Sequence, residues 1–371
     1  MKKFVSAITV LVLLCSLQAC KKTQSTDAPL PVVRKEAVYI STENNNLISY
    51  QYNTGEKLWE VILKGNAQST PVLYNKKLYT ITGNGYLYSI DILKGEIYRE
   101  MNIGLSSVHA LSAVNGKLYI ASDKLYCYDT TMNFAWWYIP ASGDICTTAP
   151  QVINNRVFVG AGNTCHAVDA GTGLGVWVSA PLPDSIKSSP SVSNGVVYFG
   201  CNDKKVYALN ESDGSPRWNF ATMDKVFASP IVYGGMCLIG GMDYDFYCID
   251  TTTGFKRWST ATAERISSSA AIHELTNTVL VGSYDFNLYA LSHVDGKIKW
   301  KYPAGSLIKS SPVVYKDYVY FTSFDRYIYC VNVNSGNLVW KQFLNGNTLS
   351  SPVVDDLQKG VHPSVSGMSK Y

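Results

Sequence analysis

Residues 167–177 read AVDAGTGLGVW, and the pattern inside them, small-x-Asp-x-x-Thr-Gly-x-x-x-Trp, recurs along the chain. Clear copies end at Trp59, Trp177, Trp218, Trp258, Trp300 and Trp340. Two are degenerate: Cys127 to Trp137 has Asn133 where Gly is expected, and Ser89 to Arg99 keeps Gly95 but places Arg99 at the Trp position. The eleventh positions are spaced 40, 38, 40, 41, 40, 42 and 40 residues apart, which defines eight units of about forty residues.

Within a unit, apolar residues alternate with period 2 between turn signals. In residues 190–222, Pro190 to Ser193, Val196 to Cys201, Lys205 to Asn210 and Pro216 to Thr222 read as four strands separated by Asn194-Gly195, Asn202-Asp203 and Gly214 turns. Eight four-stranded units predict an all-β fold, an eight-bladed β-propeller of four-stranded antiparallel blades. Unit one begins at Val38 without the Ser-x-Pro-Val strand that opens most others, and Ser351-Pro352-Val353-Val354 supplies it. The ring is therefore expected to span 38–354 and to be closed by the C-terminal strand.

The docking motif resembles that of the pyrroloquinoline-quinone (PQQ) type propellers. There the Trp of one blade stacks between its neighbours, against the small first motif residue and the motif Gly. The resemblance assigns docking to Trp59, Trp137, Trp177, Trp218, Trp258, Trp300 and Trp340, with Arg99 as a planar substitute. The first motif position is Ser, Cys or Ala throughout, as an indole packed against it requires.

The chain's beginning has a separate character. Lys2 and Lys3 precede the apolar run Phe4 to Leu14, too short to span a membrane, and Leu17-Gln18-Ala19-Cys20 resembles a bacterial lipobox. Residues 1–19 read as a lipoprotein signal peptide and Cys20 as the lipidated residue, with 20–37 as lipid-bearing Cys and tether. Lys21 is not the Asp that retains enterobacterial lipoproteins at the inner membrane, so an outer-membrane anchor facing the periplasm is expected. Residues 355–371 form a tail with no assigned structure.

Composition narrows the function. The net charge of +4, from 32 basic and 28 acidic residues, is too even to imply nucleic acid as a partner. Of nine cysteines, Cys15 leaves with the signal and Cys20 is the anchor. The other seven occupy repeat positions that hold small or apolar residues elsewhere, with Cys146 and Cys165 the one pair to examine for a disulfide. No Cys-His spacing suggests a metal, and no nucleophile-base or paired-carboxylate arrangement suggests catalysis. His166 stands where other units carry Tyr207 or Tyr289 and is expected to pack. Asp203, Asp243, Asp285 and Asp325 recur at one hairpin position and read as Asx turn formers.

Quinoprotein dehydrogenases of the PQQ-type fold use a calcium held by Glu, Asn and Asp, and a disulfide between adjacent cysteines. This chain has no adjacent cysteines and no long inter-blade insertions. No cofactor is expected. A propeller of this size behind a lipobox resembles instead the BamB-type outer-membrane assembly lipoproteins. That resemblance implies a non-enzymatic periplasmic scaffold with protein partners and a membrane contact through the lipid; a ligand-binding or sensing propeller is the alternative, with a PQQ-dependent dehydrogenase behind it. Asp144, Asp184, Asp224 and Glu264 lie six residues before the opening position of four successive inner strands and are expected to form an acidic binding arc.

Overall fold

The computed structural model describes residues 35–67, 69–105, 110–140 and 143–355. The expected signal peptide, the expected lipidation position Cys20, and most of the expected tether and tail lie outside the described residues. Eight separate four-stranded antiparallel sheets follow one another, each blade running from an inner to an outer strand. In blade 5 these are Ser191–Ser193, Val196–Cys201, Lys205–Asn210 and Pro216–Ala221, within one or two residues of the sequence reading. Apart from one 3-10 turn, Glu274–Thr276, the regular structure among the described residues is β.

Each fourth strand leaves the third through a β-bulge beside the small motif residue, as between Ala208 and Leu209. The bulge turns the outer strand so that the indole faces the next blade. Core residues consequently group into eight layers, each shared by two neighbouring blades. Blade 8 and blade 1 share a layer as the others do, with Tyr320, Cys330 and Trp340 against Val38, Ile40 and Tyr50, so the ring is closed.

Closure is made within blade 1. Val353–Val354 pairs antiparallel with Ala37–Ser41, through Val38↔Val354 and Tyr39↔Val353. The Asp355 N–H donates to the Ala37 carbonyl at 2.9 Å, which carries the ladder one residue past the expected end. At the other end Glu36 is already fixed: its carboxylate accepts from Tyr315 Oη at 2.8 Å and Lys316 Nζ at 2.7 Å, both in blade 8.

Candidate functional site

A propeller's capacity to bind rests on how its blades are held and on what its loops and outer walls present. The motif works as one unit, as its copy in blade 4 shows. The Asp169 carboxylate accepts the N–H groups of Gly171 and Thr172 and the Thr172 hydroxyl, which shapes the turn. The turn places Gly173 at φ 77°, and a Cβ there would lie 2.6 Å from the indole of the preceding blade. Glycine is required for both reasons. The indoles of Trp59, Trp177, Trp218, Trp258, Trp300 and Trp340 sit in this way on Gly95, Gly214, Gly254, Gly296, Gly336 and Gly55. Each Nε1–H donates to a carbonyl of the next blade at 2.8–3.1 Å.

Blade 3 departs from the sequence expectation. The residue on Gly173 is Trp136, paired with Cys127 and packed on Tyr119, whereas Trp137 is 53% exposed against Phe134. The assignment of Trp137 to docking is therefore corrected to Trp136. The cause is a turn one residue shorter: Met132 N–H closes on Asp129 O, three residues back, where Gly173 N–H closes on Asp169 O, four back. Counting eleven residues from Cys127 overshoots by one.

The boundary between blades 2 and 3 explains both irregular copies together. Blade 2 has Arg99 in place of the indole, and blade 3 has Met132, at φ 65°, in place of the glycine. Met132 is 1% exposed and packs with Val72, Tyr79 and Ile81 of blade 2. Its side chain adds to the apolar layer between the two blades, while exposed Arg99 donates to the Thr131 carbonyl. Arg99 thus bonds one residue beyond the carbonyl a regular indole would reach, Thr130 O, which Tyr79 Oη takes at 3.0 Å, and the apolar part comes from the opposite blade.

A second set of inter-blade bonds surrounds the central axis. The N–H groups of Ala149, Ser189, Ser229, Ser269, Ser311 and Ser351 donate in turn to the side-chain oxygens of Ser189, Ser229, Ser269, Ser311, Ser351 and Thr70, at 2.9–3.1 Å. This belt was not foreseen, although its signal is plain: a hydroxyl residue directly precedes the position that opens most inner strands. Ala110 and Ala149 occupy that position in blades 3 and 4, and the belt has no acceptor there.

The four acids expected to form a binding arc lie in the loops that enter blades 4 to 7. Asp144, Asp184, Asp224 and Glu264 occupy equivalent places in four consecutive loops, and none makes an ion pair among the described residues. Asp184 and Asp224 accept from the next residue's N–H, at 2.6 and 2.8 Å, and Asp184 and Glu264 are exposed. Asp144 differs: it is half-buried, and its carboxylate lies against Gly162 of the blade 4 hairpin. The hairpin aspartates do more than shape turns. Asp243, Asp285 and Asp325 accept from the third-strand tyrosine of their blade and from an N–H of the incoming loop, Met223, Ala263 or Gly305. Burial works against ionisation of Asp285, but these donors outweigh it and hold its carboxyl below the ordinary range.

His166 takes the tyrosine's place in blade 4, where the hairpin has no Asp. It is fully buried, with Tyr138 Oη of blade 3 at 3.0 Å from Nδ1 and Thr164 Oγ1 at 2.7 Å from Nε2. Thr164 donates its own proton to Ala161 O, so Nε2–H donates to Thr164 and Nδ1 accepts from Tyr138. Burial lowers the imidazole pKa to about 4, against an opposing pull from Asp144. Cys146 and Cys165 are buried free thiols in different inter-blade layers. Among the described residues no group of His, Cys, Asp and Glu is arranged to hold a metal ion.

The outer wall is uneven. The outer strands of six blades contain charged residues, whereas Phe134–Tyr138 and Gly175–Val178, in adjacent blades 3 and 4, contain none. Phe134, Trp137 and Ile139 of blade 3 and Leu174, Val176 and Val178 of blade 4 are all exposed. The two strands approach where Gly175 faces the Tyr138 ring.

Comparison with known proteins agrees with this architecture. BamB of Moranella endobia (strain PCIT) is 22% identical over 181 residues, 43% of this chain and 46% of that protein. Tetrathionate hydrolase of Acidithiobacillus ferrooxidans is 26% identical over 194 residues, 51% of this chain and 36% of the hydrolase. The matched segment spans less than half of each of these relatives. Among solved structures, BamB of Moraxella catarrhalis aligns with TM-score 0.64 and 16% identity, over 75% of this chain and 88% of that one, a likeness of fold. A family model described as outer membrane protein assembly factor BamB matches residues 16–98, 99–273 and 164–358, and the chain belongs to this family of PQQ-type propellers.

Proposed function

We propose that the protein is a non-enzymatic scaffold of the cell envelope that holds a protein partner during outer-membrane protein assembly. The observation that carries this reading is the uncharged wall of blades 3 and 4. Exposed outer strands in soluble proteins are ordinarily protected by charged residues, and six blades follow that rule. Two adjacent outer strands without charged residues, exposing Phe134, Trp137, Ile139, Leu174, Val176 and Val178, with Lys124 of the blade 3 hairpin over the Trp137 ring, suit a protein interface with an apolar centre. The loop acids Asp144, Asp184 and Asp224 enter blades 4, 5 and 6 and would supply the polar rim, selecting a partner with basic groups. Family membership supports the same assignment, and the lipobox at Leu17 to Cys20 supports a lipid anchor at the outer membrane, facing the periplasm.

The test is site-specific photo-crosslinking in intact envelopes. A photoreactive residue at Trp137 should capture a discrete partner from the outer-membrane assembly machinery, and one at Phe343, also exposed but on the outer strand of blade 8, should not. Charge reversal at Asp184 and Asp224 together should leave the fold intact and weaken that capture at low salt. Equal capture from both positions, or none at Trp137, overturns the reading.

A further inference from the structure

Six of the eight blade boundaries are fastened twice. Each has an indole seated on a neighbouring glycine with its N–H bonded across, and a belt N–H donated to a hydroxyl of the next blade. Blade 3 lacks the double fastening on both sides. Among the described residues, there is neither indole nor belt bond toward blade 2. Toward blade 4, Trp136 is seated on Gly173, but its Nε1 is buried with no hydrogen-bond partner among the described residues, and Ala149 offers no hydroxyl. The carbonyl that an indole of the regular kind would reach, Ala170 O, is taken by Lys117 Nζ at 2.9 Å and Tyr119 Oη at 3.3 Å. What remains on the blade 2 side includes Tyr79 Oη to Thr130 O, Gly116 N–H to Tyr74 Oη and Arg99 to Thr131 O, and on the blade 4 side Ser112 Oγ to Pro150 O, Tyr138 Oη to His166 and Cys146 N–H to Ser122 O, none of them the indole bond or the belt bond of the regular boundaries.

The obvious rival for a weak point is the closing ladder, with only two residue pairs between the chain's two ends. That junction is reinforced from blade 8. Trp340 and Tyr320 both donate to Tyr52 O at 2.9 Å, Ser311 N–H reaches Ser351, and Glu36 is held by Tyr315 and Lys316.

We propose that blade 3 is the opening point of the ring: it parts from its neighbours in local openings while the junction of the chain ends stays shut. Such openings uncover the apolar layer containing Ile81, Leu118, Ile120 and Met132, next to the uncharged outer wall. The device belongs to the fold and does not depend on which partner is bound.

The protein carries its own reporters. Cys127 and Cys146 lie in the layer between blades 3 and 4, Cys237 between 5 and 6, Cys248 between 6 and 7, and Cys330 between 8 and 1. All five are 0% exposed, so their modification by a thiol reagent requires opening. The full chain, under native conditions, is treated with an alkylating reagent and the labelled sites are followed by mass spectrometry, normalised to rates in denaturant. Cys127 and Cys146 should react at least about tenfold faster than Cys237, Cys248 and Cys330. Cys330 reacting first places the opening at the chain ends, and equal rates at all five mean whole-ring unfolding; either result overturns the proposal. Ala149→Ser, which restores a belt acceptor, should slow Cys127 and Cys146 about fivefold without changing Cys237 or Cys248. If that variant is poorly folded, the order of labelling in the natural sequence still decides.

Discussion

Blade 5 and blade 3 are built from the same forty-residue plan, and they differ in how many of its parts act on a neighbour. Blade 5 receives Trp177 on Gly214, presents Trp218 to Gly254, and takes part in two links of the belt. Blade 3 receives no indole, has no belt acceptor, and presents Trp136 without a partner for its N–H. The difference shows that the repeat is a set of paired requirements across a boundary. Gly is obligatory only where an indole presses on it. Where blade 2 lost its indole, Gly became a liability, because it would leave a void, and a buried Met repairs the layer.

The largest effect expected from this contrast comes from removing a docking side chain on each side of it. Trp177→Ala should destabilise the ring by about 3–5 kcal/mol, since it empties a buried indole site and leaves the Glu211 carbonyl with Arg156 alone as side-chain donor. Arg99→Ala should cost about 1 kcal/mol or less, because the side chain is exposed and Met132 keeps the layer filled. Urea titrations of the two variants make the comparison. Equal losses would mean that Arg99 carries the boundary as an indole does.

The next effect is a pH dependence confined to the irregular side. His166 bridges blades 3 and 4 through Tyr138, and its folded pKa of about 4 lies below the unfolded value of 6.5. Between these values the unfolded chain binds a proton that the folded ring does not, so stability falls as pH drops from 6.5 toward 4. Above 6.5 the group contributes no slope. Integrated over the window, the loss is about 3 kcal/mol. The facing groups are Tyr138, Thr164 and Asp144, and only Asp144 opposes the shift, which bounds the effect from above. His166→Gln, lacking a titrating ring, should flatten the difference in stability between pH 7 and pH 4.5. An unchanged slope in that variant would assign it to carboxylates elsewhere.

The eight blades, their strands and the closing ladder could be read from the sequence because each is repeated, so an error in one copy is corrected by seven others. Trp136 could not be found by counting, since the alignment had two adjacent indoles and no way to see that the Asp129 turn closes a residue early. Compensation by Met132 was hidden for a similar reason: the two deviant positions lie 33 residues apart and meet only when the ring is assembled. The belt was visible as a recurring hydroxyl before the inner strand, but its acceptor role depends on where the neighbouring blade places an N–H. The acidic arc was legible as a spacing, whereas the distinct setting of Asp144, on the hairpin that has lost its own Asp, required the fold.

The finest distinction concerns a single N–H. Trp136 and Trp177 are both seated on a neighbouring glycine, and both pack on an aromatic residue, Tyr119 or Phe158. They differ in that Trp177 Nε1 donates to Glu211 O at 2.8 Å and Trp136 Nε1 is buried without an acceptor. Replacing each by Phe removes the N–H and part of the ring, so the loss of apolar contact is similar at the two sites. At position 177 the change also takes one donor from the half-buried Glu211 carbonyl, which keeps Arg156 Nη1 at 2.7 Å, at a cost of about 1 kcal/mol or less; at position 136 it relieves an unsatisfied donor and recovers about 1 kcal/mol. Trp177→Phe should therefore be the more destabilising by about 1–2 kcal/mol in paired denaturation curves. If instead Trp136→Phe is equally costly, its indole N–H is bonded in solution, and the boundary between blades 3 and 4 is as well fastened as the regular ones.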